Sequence, residues 1–164
     1  MQDAQRAVLR RKYLSLGAGE FVAAAVFAGA AVFSVAPRLE GDDEVRALWS
    51  ALGPLLVVLV QGGGYWLLAR RWVGAGRMTR TVATAYRIFR IGDVVLLGLG
   101  LAGLLTWWPE RTWVAVLCLA VWAFGVVEYV NYFVVRLAYP PRQWLALVGG
   151  WKTPRLVLDL ESSR

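Results

Sequence analysis

The chain has no histidine and a single cysteine, Cys118, in 164 residues. Zinc, haem and iron–sulfur sites draw on several His or Cys ligands, so these two shortages set them aside. They also remove an internal disulfide and any Ser-His or Cys-His catalytic pair. Charge is scarce as well: Asp, Glu, Lys and Arg make up 18% of the chain, against 59% hydrophobic residues. With a mean hydropathy of +0.53, that balance belongs to membrane proteins rather than soluble domains. No internal repeat or low-complexity tract stands out, and the length suits one membrane domain, residues 1–164.

What is abundant agrees. Nine Trp and six Tyr suit a bilayer protein, whose aromatic rings anchor at the interfaces. The net charge of +7 reads as positive loops beside anionic lipid, not as a nucleic-acid surface. Four apolar stretches, residues 15–36, 47–69, 92–108 and 112–137, are each long enough to span a bilayer as a helix.

Residues 1–14 hold Arg6, Arg10, Arg11 and Lys12 beside a modest apolar side of Ala4, Val8 and Leu9, which predicts a short interfacial helix. The first span has small residues for close helix approach, among them Gly17, Gly19, Ala25 and Gly29. Its basic start and the run Ser34-Val35-Ala36 imitate a signal peptide. The apolar stretch is too long for one, it contains Glu20, and Pro37 would follow the cut. Residues 37–46 form an acidic loop. In the second span, Pro54 removes a backbone donor near the outer end. The run Gln61-Gly62-Gly63-Gly64 has two readings: a broken helix that opens backbone groups to a ligand, or close packing against a bulky Trp or Tyr.

Residues 70–90 carry six Arg and no acid. From Arg77 the pattern turns helical, with Met78, Val82, Ala85 and Phe89 on one face. The expectation is one long third helix from Arg77 to Trp108, ~32 residues and ~48 Å, with residues 77–91 as an amphipathic cytoplasmic extension. Gly98, Gly100 and Gly103 offer small-residue contacts in its middle, and Trp107, Trp108 and Trp113 form a belt at the outer interface. Residues 142–161 are too interrupted to span and read as an interfacial tail. All but three of the 18 basic residues fall on one side of this arrangement, the exceptions being Arg38, Arg46 and Arg111. That bias places both termini in the cytoplasm. The expected fold is therefore an all-α integral membrane protein: a four-transmembrane-helix bundle with a long third helix and interfacial N- and C-terminal segments.

The fourth span looks like the helix that organises the rest. It carries Glu128 and Asn131 three residues apart on one face, with Tyr129 and Tyr132 on the adjoining face. A carboxylate in hydrocarbon is costly unless paired, wetted or protonated. Glu20, Gln61, Asp93, Glu128 and Asn131 fall at similar depth on four helices, which points to a bundle interior. Three roles compete for this polar cluster. It can be a layer that fixes helix register, a site for a cation, a proton or a small polar solute, or an enzyme acting on a lipid or small substrate with Glu128 or Glu20 as acid–base. The missing nucleophile and metal ligands weigh against the enzyme, and four-helix di-metal sites use a Glu-x-x-His motif that this chain lacks. No cofactor or metal is expected. Gly74-Ala75-Gly76 is followed by no Lys-Ser/Thr and is not a phosphate loop. Arg77, Arg80, Arg87 and Arg90 offer a surface for anionic lipid head groups or an acidic partner, beyond their topological role.

The run Glu128-Tyr129-Val130-Asn131-Tyr132-Phe133, the closing Arg155-Leu156-Val157-Leu158-Asp159-Leu160 and the segment Arg90-Ile91-Gly92-Asp93 resemble a group of small uncharacterised bacterial four-span membrane proteins. The resemblance covers the C-terminal half and implies no particular activity. An Ala-, Val-, Gly- and Arg-rich composition suits a bacterium with a GC-rich genome. The expectation for function is a non-catalytic inner-membrane protein with an accessory, scaffold or ligand-holding role. The alternative is a small oligomeric transporter or channel that uses the carboxylates. Expected partners are membrane lipids, a membrane protein or further copies of the chain, and no nucleic acid.

Overall fold

The computed structural model describes residues 2–73, 76–135 and 153–163. It is all-helical, 84% helix, with no strand among the described residues. The elements are α1 (Gln2–Ala30), α2 (Asp42–Ala69), α3 (Arg80–Thr106), α4 (Thr112–Phe133) and a short terminal helix α5 (Arg155–Glu161). The first four are long and apolar enough to cross a membrane.

α1 runs without a break from the basic N-terminal stretch through the first apolar stretch, so the separate interfacial helix expected for residues 1–14 is not present as its own element. No proline interrupts it before Pro37. There the helix widens into a π turn, Ala31–Val35, and tightens into a 3₁₀ turn, Ala36–Arg38, which ends it. α2 opens after Gly41, whose φ of 92° suits glycine, and has Asp42, Asp43 and Glu44 in its first turn, where the helix dipole favours acids. The third helix begins at Arg80 and ends at Thr106, 27 residues in all, shorter than the Arg77–Trp108 reading. Thr79 has extended backbone, with ψ of 149°, and so closes the helix off from Arg77 and Met78.

α2, not α4, is the central helix. α1, α3 and α4 each pack mainly on it. Half of its most apolar window is buried (50%), against 17%, 22% and 22% for α1, α3 and α4. Its own sequence explains why the others come close. Pro54 has no N–H for the Ser50 carbonyl, which a helix would otherwise pair with it. That oxygen faces Gly100 of α3, where a Cβ would stand only 2.6 Å away. The run Gln61-Gly62-Gly63-Gly64 stays helical. It is a packing seam: a Cβ at Gly62 would lie 2.4 Å from Tyr132, one at Gly63 2.9 Å from Phe21, and one at Gly64 3.4 Å from Tyr86. Gly98 and Gly19 touch nothing in this way.

The core divides along the helix axes. One half is aliphatic, built on Leu48, Leu52, Leu55 and Leu59 of α2 with Leu104, Val114 and Cys118. The other is aromatic, built on Tyr65, Trp72, Tyr86, Tyr132 and Phe133, and is closed by Leu156 and Leu160 of α5. The outward faces of α1, α3 and α4 remain apolar, with Val22, Val26, Ile91, Leu99 and Val116 well exposed.

Candidate functional site

The polar side chains gather in the aromatic half, and they form hydrogen bonds between helices. Tyr132 of α4 donates to Glu20 Oε1 of α1 at 2.5 Å. Trp66 Nε1 of α2 donates to the same Tyr132 oxygen at 3.3 Å. Gly62 leaves the room in which the Tyr132 ring lies. Glu128, one turn before Tyr132, is hydrogen-bonded to Asn131 and stands within electrostatic reach of Glu20. These five residues make one group, on the α1–α4 side of α2. Glu20, Glu128 and Asn131 are each half-buried.

A second group lies between α2 and α3. Gln61 Nε2 donates to Asp93 Oδ1 at 3.0 Å. The Tyr86 hydroxyl donates to the Gln61 backbone carbonyl at 2.8 Å. Asp93 is 1% exposed, which makes it the most deeply buried of the acids in the described residues. Tyr129 is in neither group: its hydroxyl donates to the Arg90 carbonyl at 3.2 Å and ties α4 to α3, as Trp122 Nε1 does on Leu97 at 2.9 Å.

A third polar centre lies outside the layer that similar depth on the four spans picks out. Asp159 of α5 is buried, and its Oδ2 accepts from Tyr65 at 2.9 Å and Trp72 Nε1 at 3.0 Å. Its Oδ1 meets Arg155 Nε at 3.1 Å. Part of the tail expected to lie along the interface is thus docked into the bundle; residues 142–152 of that tail lie outside the described residues. A signal was present: Leu156, Asp159 and Leu160 are spaced to share one helix face, so the acid had to be buried with the leucines.

The four arginines part company. Arg77, Arg80 and Arg90 are exposed. Arg87 reaches α5, donating to the Leu160 carbonyl at 3.1 Å and to Ser163 Oγ at 3.3 Å. Between α3 and α5 lies a groove of about 360 Å³ lined by Arg87, Arg90, Ile91, Val157, Leu160 and Glu161.

At the opposite end, Arg111 joins the two loops. It donates to Glu44 Oε1 at 2.8 Å, to Glu40 Oε1 at 2.8 Å and to the Arg38 carbonyl at 3.0 Å, and it lies 5.3 Å from the Trp113 ring centre. Hydrogen bonding to Glu44 pushes the Arg111 guanidinium further up from its already high pKa. This pairing of one basic residue with an acidic loop was legible only as composition.

No group of three or more His, Cys, Asp or Glu is placed to hold a metal among the described residues. What the arrangement can do is hold helices in register and hold a small polar or protic species beside the carboxyl groups. No family model matches the chain, and neither a curated protein nor a solved structure matches it.

Proposed function

We propose that this is a small multi-pass protein of the bacterial inner membrane, with both termini in the cytoplasm and a non-catalytic accessory or scaffold role. One observation carries the reading: acids on α1, α3 and α5 are each bonded to a side chain of another helix, Glu20 to Tyr132, Asp93 to Gln61 and Asp159 to Tyr65. Carboxyl groups engaged in this way hold helices together. The exposed apolar side chains along α1, α3 and α4 suit lipid or the helices of a partner. The exposed Arg77, Arg80 and Arg90 suit anionic head groups at the cytoplasmic surface.

A second reading, an oligomeric transporter or channel for protons, cations or a small polar solute, draws on the closeness of Glu20 and Glu128. Native mass of the protein extracted in mild detergent separates the two. A heterologous partner at fixed stoichiometry supports the accessory role. A self-oligomer whose solute coupling is abolished by Glu128→Gln overturns it in favour of transport.

A further inference from the structure

Asp93 and Gln61 leave an unusual remainder. One bond joins them, Gln61 Nε2 to Asp93 Oδ1 at 3.0 Å. Asp93 Oδ2 and Gln61 Oε1 are both buried and have no hydrogen-bond partner among the described residues. Both are acceptors when Asp93 is ionised, so two lone-pair oxygens of one contact pair are left facing no donor. Buried polar atoms in folded proteins rarely stay that way. These two atoms are the ones that a second hydrogen bond across the same pair would join. The bond needs a single hydrogen, and a carboxylic acid supplies it.

We infer that Asp93 and Gln61 form a proton-holding site: a carboxylic acid and a carboxamide closed into a ring, with Gln61 N–H donating to Asp93 Oδ1 and Asp93 O–H donating to Gln61 Oε1. The side chains on the adjoining helices are engaged elsewhere or exposed, and Arg70, whose Nε is also buried without a partner, stands about two and a half helical turns beyond Gln61 at the end of α2. Tyr86 on α3 is committed to the Gln61 carbonyl, Tyr65 on α2 to Asp159, Tyr129 on α4 to the Arg90 carbonyl and Tyr132 on α4 to Glu20. Arg87 is bound to α5, Arg90 is exposed, and Glu128 pairs with Asn131. A metal cation does not suit the pair. Mg²⁺ and Ca²⁺ take about six to eight oxygens, and two are free here. A proton takes two. The ring holds its proton in a scaffold and in a transporter alike, so this site and the proposed function fail separately.

The test is the infrared spectrum of the full chain in lipid at neutral pH. The parent protein is expected to show a carboxylic-acid carbonyl band that Asp93→Asn removes. That substitution keeps the ring, because the new amide NH₂ replaces the acid O–H toward Gln61 Oε1, so native mass and melting temperature stay at parent values. A carboxylic-acid region unchanged in Asp93→Asn, with carboxylate absorption lost instead, overturns the assignment. So does loss of the acid band on adding sodium chloride at constant pH, which would give the pair to a cation. Gln61→Leu keeps the test open if Asp93→Asn does not fold: the acid band should shift as its ring partner disappears, and an unmoved band overturns the proposal.

Discussion

Replacing Asp159 with alanine should release α5 from the bundle while leaving the four long helices intact. The helix is seven residues long, and ordering its backbone costs about 7–14 kcal/mol at ~1–2 per residue. Two buried leucines, Leu156 and Leu160, contribute about 3–6 kcal/mol. The Asp159 bonds from Tyr65 and Trp72 contribute about 3–6 kcal/mol more, as hydrogen bonds to a charged group. Arg155 is half-exposed, so its pairing with Asp159 is discounted to under ~1 kcal/mol. These opposing quantities nearly cancel, which makes the hydrogen bonds decisive for docking. The assay is amide hydrogen exchange by mass spectrometry on protein in nanodiscs. Because docking is near balance, losing about 3 kcal/mol should tip α5 to the undocked state, and protection over residues 155–161 should fall to that of a free peptide. Tyr65→Phe removes one of the two bonds and should lower the protection part of the way. Unchanged α5 protection in Asp159→Ala would refute the reasoning and leave the leucines as sufficient anchors.

Gly62→Ala should lower the melting temperature, because its Cβ would fall 2.4 Å from Tyr132, whereas Gly53→Ala meets nothing within 4 Å and should be neutral or slightly stabilising; melting curves in detergent compare them. Arg111→Ala and Glu44→Ala should each lower the melting temperature, and the double variant should cost less than both singles added, as expected of one shared contact. Glu128→Leu should reduce the purified yield and the melting temperature, while Val134→Leu on an exposed position should do little; equal tolerance of both would refute an interior role for Glu128.

Much of the helix content was legible because apolar stretches of spanning length announce themselves by composition. The packing seam of α2 was legible only as a choice. Gln61-Gly62-Gly63-Gly64 allows a broken helix as well as a close approach; the frequency of glycine in membrane helices favours the approach, but only the positions of Tyr132, Phe21 and Tyr86 decide it. The identity of the central helix was not legible. A carboxylate and an amide drew attention to α4, but hub position depends on which helix is touched on three sides. No local pattern records that for a helix that is apolar all round. Asp159 illustrates a different limit. Its burial is written in the i, i+3, i+4 spacing with Leu156 and Leu160, but its partners Tyr65 and Trp72 lie 94 and 87 residues away.

The division of the polar residues into separate groups bears on function more than their number does. Similar depth on four helices reads in sequence as one layer, and one layer lends itself to a path through the bundle. In space, α2 stands between the pairs: Glu20 meets Tyr132 on one side of it, and Gln61 of α2 itself meets Asp93 on the other. The Tyr132 ring lies against Gly62, the residue next to Gln61, so the two groups meet along the α2 backbone. A path between them would have to displace that ring, and Tyr132 is held by both Glu20 and Trp66. Polar pairs separated by a held aromatic ring resist conduction and lock helix register. That favours the scaffold over the transporter, and it makes Tyr132→Ala the variant in which conduction, if this chain has any, should rise.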